Sequence, residues 1–231
     1  LDTLAEMKQE SYEDYVAFHK ELGGILKEGV SQDWSNRERV AELLLFESTK
    51  TEPGEYTSLD KCVADMPGEQ DAIYYLIGET RELLDASPHL EAFRGRGTEV
   101  LLMTDPLDDF VIPGLANYKG KPLKAADRSE PPEDKAEKEK RKQDEEAFAG
   151  LIGLLREKIA DVKDVRLSTR LTDSAACLVV DEGAMGAHME RLMERIGQGG
   201  GPPSPRILEL NPDHAAVRAM RDLHEKDAKD P

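Results

Sequence analysis

Two short apolar runs with a helix start between them constrain this chain more than any other feature. "DAIYYLIG" (71–78) and "TEVLLMTD" (98–105) are short, apolar and bounded by Gly or Asp, so each predicts a strand. Between them, "SPHLEAFRG" offers Ser87 as a cap and Pro88 as the first helical residue, where the missing N–H has no partner to lose. Strand, helix, strand in sequence implies a small α/β layer. "YKGKPL" then reads as a turn entering a final edge strand. Upstream, residues 1–49 read as helices, with Ser35 and Glu38 spaced as a capping box before an apolar run.

Residues 127–146, "DRSEPPEDKAEKEKRKQDEE", change the character of the chain. Charges of both signs and a Pro pair cannot bury enough apolar surface for a packed element, so this is a linker or the exposed start of a helix. After it, "EAFAGLIGLLREKIA" is amphipathic at helical spacing, and "VKDVRLSTRL", "ACLVV" and "RILEL" read as strands. "GQGGGPPSP" reads as a mobile loop, and "DHAAVRAMRDLHE" as a last helix capped by Asp213. The expected fold is α/β plus α+β: a helical segment leading into a small α/β sandwich over 1–126, a charged linker or helix start over 127–146, and a separate α+β domain over 147–231 with a small sheet flanked by helices.

Charge and composition narrow the partners. Asp+Glu number 48 against Lys+Arg 31, a net charge of −17, and no basic patch stands out, so a phosphate backbone is repelled and nucleic acid is excluded as a partner. No apolar stretch approaches the roughly 20 residues that span a bilayer, so no membrane partner is expected. Cys62 and Cys177 show neither a disulfide framework nor metal-ligand spacing, which suits a reducing, cytoplasmic location. The start "LDTLAEMKQE" and the end "KDAKDP" look like cut edges of a longer protein.

Catalytic constellations do not assemble. His224 has Ala228 four residues on, not a second His, so the two-histidine zinc helix is excluded there. "GRGTEV" precedes a strand instead of following one and lacks the third Gly of a dinucleotide loop. "GQGGGPPSP" has no Lys-Ser/Thr for a phosphate loop, and no G-x-S-x-G elbow occurs. Asp108 and Asp109 are a carboxylate pair of a kind common in any acidic chain. An enzyme reading would need a closed pocket joining Asp105, Asp108 and His89.

The strings "GGILKEGVSQDWSNRERVAELLLFEST", "EQDAIYYLIGE", "SPHLEAFRGRGTEVLLMTDPLDDFV", "KDVRLSTRLTDSAACLV" and "LELNPDH" occur in the order found in one family. The chain resembles the heat-shock protein 90 chaperones, in their bacterial form, high-temperature protein G, along nearly its whole length. Leu45, Cys62 and Ala175 depart from the residues usual at those positions. The resemblance implies a fragment holding the distal middle domain and a C-terminal domain truncated before the main dimerisation helices. It places the ATP-binding domain and the phosphate-sensing Arg upstream, so the fragment is expected to be no enzyme and to hold no cofactor. ATP with Mg belongs to the intact protein. Incompletely folded client proteins, co-chaperones, a homodimer and a role in the stress response are what the resemblance implies for that protein.

"GAMGAHMERLMERIG" (183–197) is the stretch with most functional content. From Met185, the side chains of Met189, Leu192, Met193 and Ile196 fall in one stripe about 100° wide. Such a stripe ordinarily packs on the protein's own sheet. Methionine instead suits loose grip on varied shapes, Gly183 and Gly186 weaken the helix start, and a Gly/Pro loop follows, so the helix reads as loosely tethered. The resemblance makes Met185, Met189, Leu192 and Met193 client-binding residues, with Asp109 and Phe110 of "DPLDDFVIPGL" as a second contact. The opposing reading has Phe110 anchoring its helix to the sheet, and Trp34 packing at a helix junction. The rival functional class is an assembly module whose Met-rich helix packs on a partner chain.

Overall fold

Helix fills the first forty-odd residues: α1 (Asp2–Glu10), α2 (Tyr12–Gln32) and α3 (Arg37–Leu43). The computed structural model describes residues 1–226 except 69, 131, 132, 134, 182, 183, 185 and 199–203. Along α2 the buried residues Tyr15, His19, Gly23, Leu26, Lys27 and Val30 recur every three or four positions and form one face. Gly23 sits mid-helix, at a cost of up to about 1 kcal/mol relative to Ala. Its role is space, because a Cβ there would come within 2.9 Å of the His19 ring. That ring ties the helix to the first strand, His19 Nε2 accepting the Leu45 N–H at 3.1 Å.

The expected capping box of Ser35 and Glu38 does not form. Asn36 is the N-cap of α3, and the Asp33 carboxylate accepts from Asn36 N and Nδ2 at 3.1 and 2.7 Å, so a turn closed by Asp33 shifts the helix start by one residue. Trp34 is not packed at the helix junction. It is 76% exposed, with the Arg37 guanidinium stacked 3.8 Å from its ring centre.

A six-stranded sheet follows: β1 (Leu45–Ser48), β2 (Thr57–Ser58), α4 (Leu59–Ala64), β3 (Ile73–Ile77), α5 (Arg81–Asp85), a 3-10 turn Pro88–Leu90, α6 (Glu91–Gly95), β4 (Val100–Met103), α7 (Asp108–Gly114), β5 (Asn117–Tyr118) and β6 (Lys121–Ala125). Its order is β2-β1-β4-β3-β6-β5. The two apolar runs pair in parallel from Tyr74↔Val100 to Ile77↔Met103. Ile73, Tyr75, Leu101 and Met103 join the core under α2 and α3, while Tyr74, Leu76, Val100 and Leu102 on the opposite face are buried as well. Burial on both faces explains why these strands read as unbroken apolar runs. Ser87 Oγ accepts the His89 N–H at 3.3 Å with Pro88 first in the turn, as the sequence predicts. "YKGK" forms a hairpin with φ of 47° at Lys119 and 78° at Gly120. The strand it enters, β6, lies inside the sheet beside β3, and the edge belongs to β5.

The remaining elements are α8 (Lys135–Lys158), β7 (Val162–Leu167), β8 (Ala176–Val180), α9 (Ala187–Arg195), β9 (Arg206–Leu210) and α10 (Ala215–Lys226). Mixed helix and sheet thus occurs twice, the second sheet being β7-β9-β8 with β7 parallel and β8 antiparallel to β9. Phe148, Leu151 and Ile152 of α8 and Val217 of α10 cover one face of it, against Val165, Leu167 and Leu210. The Asp213 carboxylate does not cap α10, because Lys140 and Arg218 both bind it; His214 Nδ1 accepts the Ala216 N–H instead, at 3.2 Å.

The chain divides into two compact units, Leu1–Ala86 with Gly97–Ala125, and Ser87–Arg96 with Ala126–Pro231. This differs from a simple split at 126. Residues 87–96 belong to the second unit, where Ala92 N–H donates to Arg170 O at 3.0 Å and the Glu91 carboxylate accepts the N–H groups of Thr172 and Asp173 at 2.6 and 2.8 Å. From residue 135 onward the charged run is the first half of α8.

Candidate functional site

In the second unit, β9 carries Ile207 and Glu209 on the face opposite the α8 core. Glu209 is 1% exposed and accepts from Arg166 Nη2 at 2.7 Å, Arg170 Nε at 2.8 Å and Ser168 Oγ at 2.9 Å. Burial alone raises the Glu209 carboxyl, but the two guanidinium groups outweigh it and hold the carboxyl below the usual glutamate range. Arg170 is fully buried beside it. Cys177 lies on the same face, its thiol pushed up to about 12 by burial and then by Glu209, so it is no nucleophile at neutral pH. Cys62 in the first unit is likewise pushed up to about 12, by burial and by Glu99.

Helix α9 is held differently. None of its residues is buried. Met189, Leu192 and Met193 are half-buried, and Ile196 just beyond the helix is 54% exposed. Met185 lies outside the described residues. The tether is polar: Glu190 accepts the Ser204 N–H at 2.8 Å and pairs with Arg206. Partial burial pulls the Glu190 carboxyl up, and the contacts to Ser204 and Arg206 outweigh it, leaving it below the ordinary range. Gly186 is the N-cap, outside the helix, so it does not weaken α9 as expected. A Cβ there would meet Arg128, whose Nη1 donates to Ala184 O at 2.9 Å.

The other predicted residues sit on α7 in the first unit. Its buried side chains are Asp108 and Val111, while Phe110 is 51% exposed. Val111 therefore anchors the helix, and the reading of Phe110 as the anchor is overturned. Asp109 beside it is half-buried. Asp105 and Asp108, the carboxylates an enzyme reading would need, both bind Lys27, at 3.1 and 2.7 Å. His89 belongs to the other unit.

The sequence reading missed Lys27 and the Arg170–Glu209 pair. Each left a signal: Lys27 falls at a core-facing position of α2, and Glu209 at an inward position of "RILEL". The surface has hollows of about 330, 350 and 160 Å³. In the 350 Å³ hollow of the second unit, the lining cations Arg96, Lys140 and Arg141 are already paired with Glu137, Asp213 and Glu133. In the 160 Å³ hollow Lys27 is likewise taken up by Asp105 and Asp108. Among the described residues no helix is long and apolar enough to cross a membrane.

Comparison with known proteins decides the lineage. The Hsp90 protein family profile matches residues 1–231. The chain belongs to the Hsp90 family. This Hsp90-family chain is 48% identical over 237 aligned residues to the chaperone protein HtpG of Geobacter metallireducens, covering 100% of the chain and 36% of that protein. It is 47% identical to HtpG of Geobacter sulfurreducens, with the same coverage. To HtpG of Rhodococcus jostii it is 40% identical, covering 100% of the chain and 37% of that protein. The Hsp90-family chain thus spans about a third of the length of these relatives.

Proposed function

We propose that this chain is a client-holding part of an ATP-dependent Hsp90-family chaperone, gripping incompletely folded proteins through α9 and Phe110. The observation that supports this reading is the state of α9. A helix whose apolar stripe served its own core would bury that stripe, yet Met189, Leu192 and Met193 stay half-open on a helix tied to Ser204 and Arg206 through the Glu190 carboxylate. Half-open side chains each have roughly 1 kcal/mol still to gain from a client, about half the value of full burial. Three or four such gains, offset by ordering costs, give weak and broad binding. Methionine adapts to varied client shapes, and the −17 charge favours clients with basic segments.

Met185 and Asp109 belong to the same reading, Met185 by its place just before α9 and Asp109 by its place beside Phe110. ATP with Mg, the homodimer, co-chaperones and a cytoplasmic setting are assigned to the longer protein. The chain itself acts as a passive binder.

The test replaces Met189, Leu192 and Met193 together with Ser. Affinity for a carboxymethylated, permanently unfolded α-lactalbumin is expected to fall about tenfold, with circular dichroism unchanged. Loss of the fold would show that the stripe is core. Unchanged affinity, with a concentration-dependent dimer abolished in sedimentation, would favour the assembly module.

A further inference from the structure

We propose that Lys27 is a positioning residue for Phe110: its buried ammonium pins the first turn of α7 to α2, so that the aromatic ring is presented on a fixed platform. The inference rests on the reading of Phe110 as a client contact. A helix of seven residues has no stability of its own in water, so α7 stands where its anchors put it. Val111 supplies the apolar anchor. At the far end Gly114 lies against Val30, where a Cβ would come within 3.1 Å of Cγ1 and 3.3 Å of the carbonyl oxygen. Ser31 Oγ donates to Phe110 O at 3.2 Å.

The near end is held by charge. Lys27 Nζ lies 2.7 Å from Asp108 Oδ1 and 3.1 Å from Asp105 Oδ2, with only 7% of the Lys27 side chain and 1% of the Asp108 side chain exposed. The two carboxylates also close the turn that starts the helix. Asp108 Oδ2 accepts the Asp105 N–H at 3.2 Å, and Asp105 Oδ1 accepts the Leu107 N–H at 2.9 Å. The same ammonium lies 5.7 Å from the centre of the Phe46 ring on β1. One cation therefore sets the distance between α2, the end of β4 and the helix that carries Phe110. Burial pushes the Asp108 carboxyl up despite Lys27, so without the ammonium the pair would hold together poorly.

The experiment measures the affinity of the 231-residue chain for fluorescein-labelled carboxymethylated α-lactalbumin, together with amide exchange over 105–116. Phe110→Ser is expected to weaken client binding about threefold to tenfold without altering exchange. Lys27→Met is expected to weaken it similarly and to speed exchange in α7, leaving β3 and β4 protected. Lys27→Arg, which has the 160 Å³ hollow beside it for the larger head group, is expected to restore binding to within about twofold. In the Phe110→Ser background Lys27→Met is expected to weaken binding no further, because its effect acts through the ring. If Lys27→Met does not fold, Lys27→Met with Asp108→Asn, which leaves no buried charge at Asp108, takes its place. Unchanged affinity on losing Lys27, or effects that multiply with Phe110→Ser, would overturn the proposal while the Phe110 contact stands. An inert Phe110→Ser would remove both.

Discussion

Acidification should unfasten the first unit through one histidine. His19 is 8% exposed, and its ring is held neutral, the ordinary value of 6.5 lowered to about 4 by burial, then by Lys27 and Lys8, with Asp105 opposing. Because Nε2 accepts the Leu45 N–H, protonation turns that acceptor into a donor facing a donor. The unfolded chain binds the proton from pH 6.5 downward and the folded chain only near 4. Stability is therefore fully present above 6.5, falls across that window, and levels off below about 4. At about 1.4 kcal/mol per unit, a displacement of 6.5 to about 4 amounts to about 3 kcal/mol. All six tyrosines and the one tryptophan lie in the first unit, so the tyrosine and tryptophan bands of near-ultraviolet circular dichroism during urea unfolding report on it. Between pH 7 and 4.5 its midpoint should drop by about 1–2 M urea. His19→Gln, which keeps an acceptor of similar reach without titrating, should lose much less. A variant and a parent that fall in parallel would refute the reasoning.

Gly23→Ala should destabilise the first unit by about 1–2 kcal/mol although Ala favours helix, since the new Cβ displaces the His19 ring; thermal unfolding checks the sign. Arg170→Met should cost the second unit about 3 kcal/mol, the low end for breaking a buried pair because Arg166 still contacts Glu209; amide exchange in β9 measures it. Glu190→Gln should speed exchange in α9 without touching β7 or β9. In the parent the same loosening should appear only as pH falls through the depressed Glu190 value, the tether being fully present above the ordinary glutamate range.

The parallel core of the first sheet was legible because strands buried on both faces leave an unbroken apolar signature. Residues 87–96 were legible as a helix start but not as part of the second unit. That membership depends on contacts with Arg170 and with residues 172–174, about eighty positions away, which no local pattern encodes. The charged run looked unpackable, yet α8 begins inside it. Ion pairs such as the part-buried Arg96–Glu137 and the exposed Lys140–Asp213 let the helix start well before its apolar half. Exposure of Phe110 turned on which of two neighbours took the core position, and Val111 took it. The stripe of α9 was legible as a stripe. The Glu190 contacts to Ser204 and Arg206 were not, because they join residues fourteen and sixteen positions apart across a loop.

The excursion at 87–96 means that the backbone passes between the two units three times, at 86/87, 96/97 and 125/126. A protease nicking the last of these junctions would not release two self-sufficient halves. The N-terminal piece would carry off Leu90 and Phe93, both fully buried, and the C-terminal piece would be left with an unfilled seat for them. The cut chain should therefore migrate as one particle until denaturant is added.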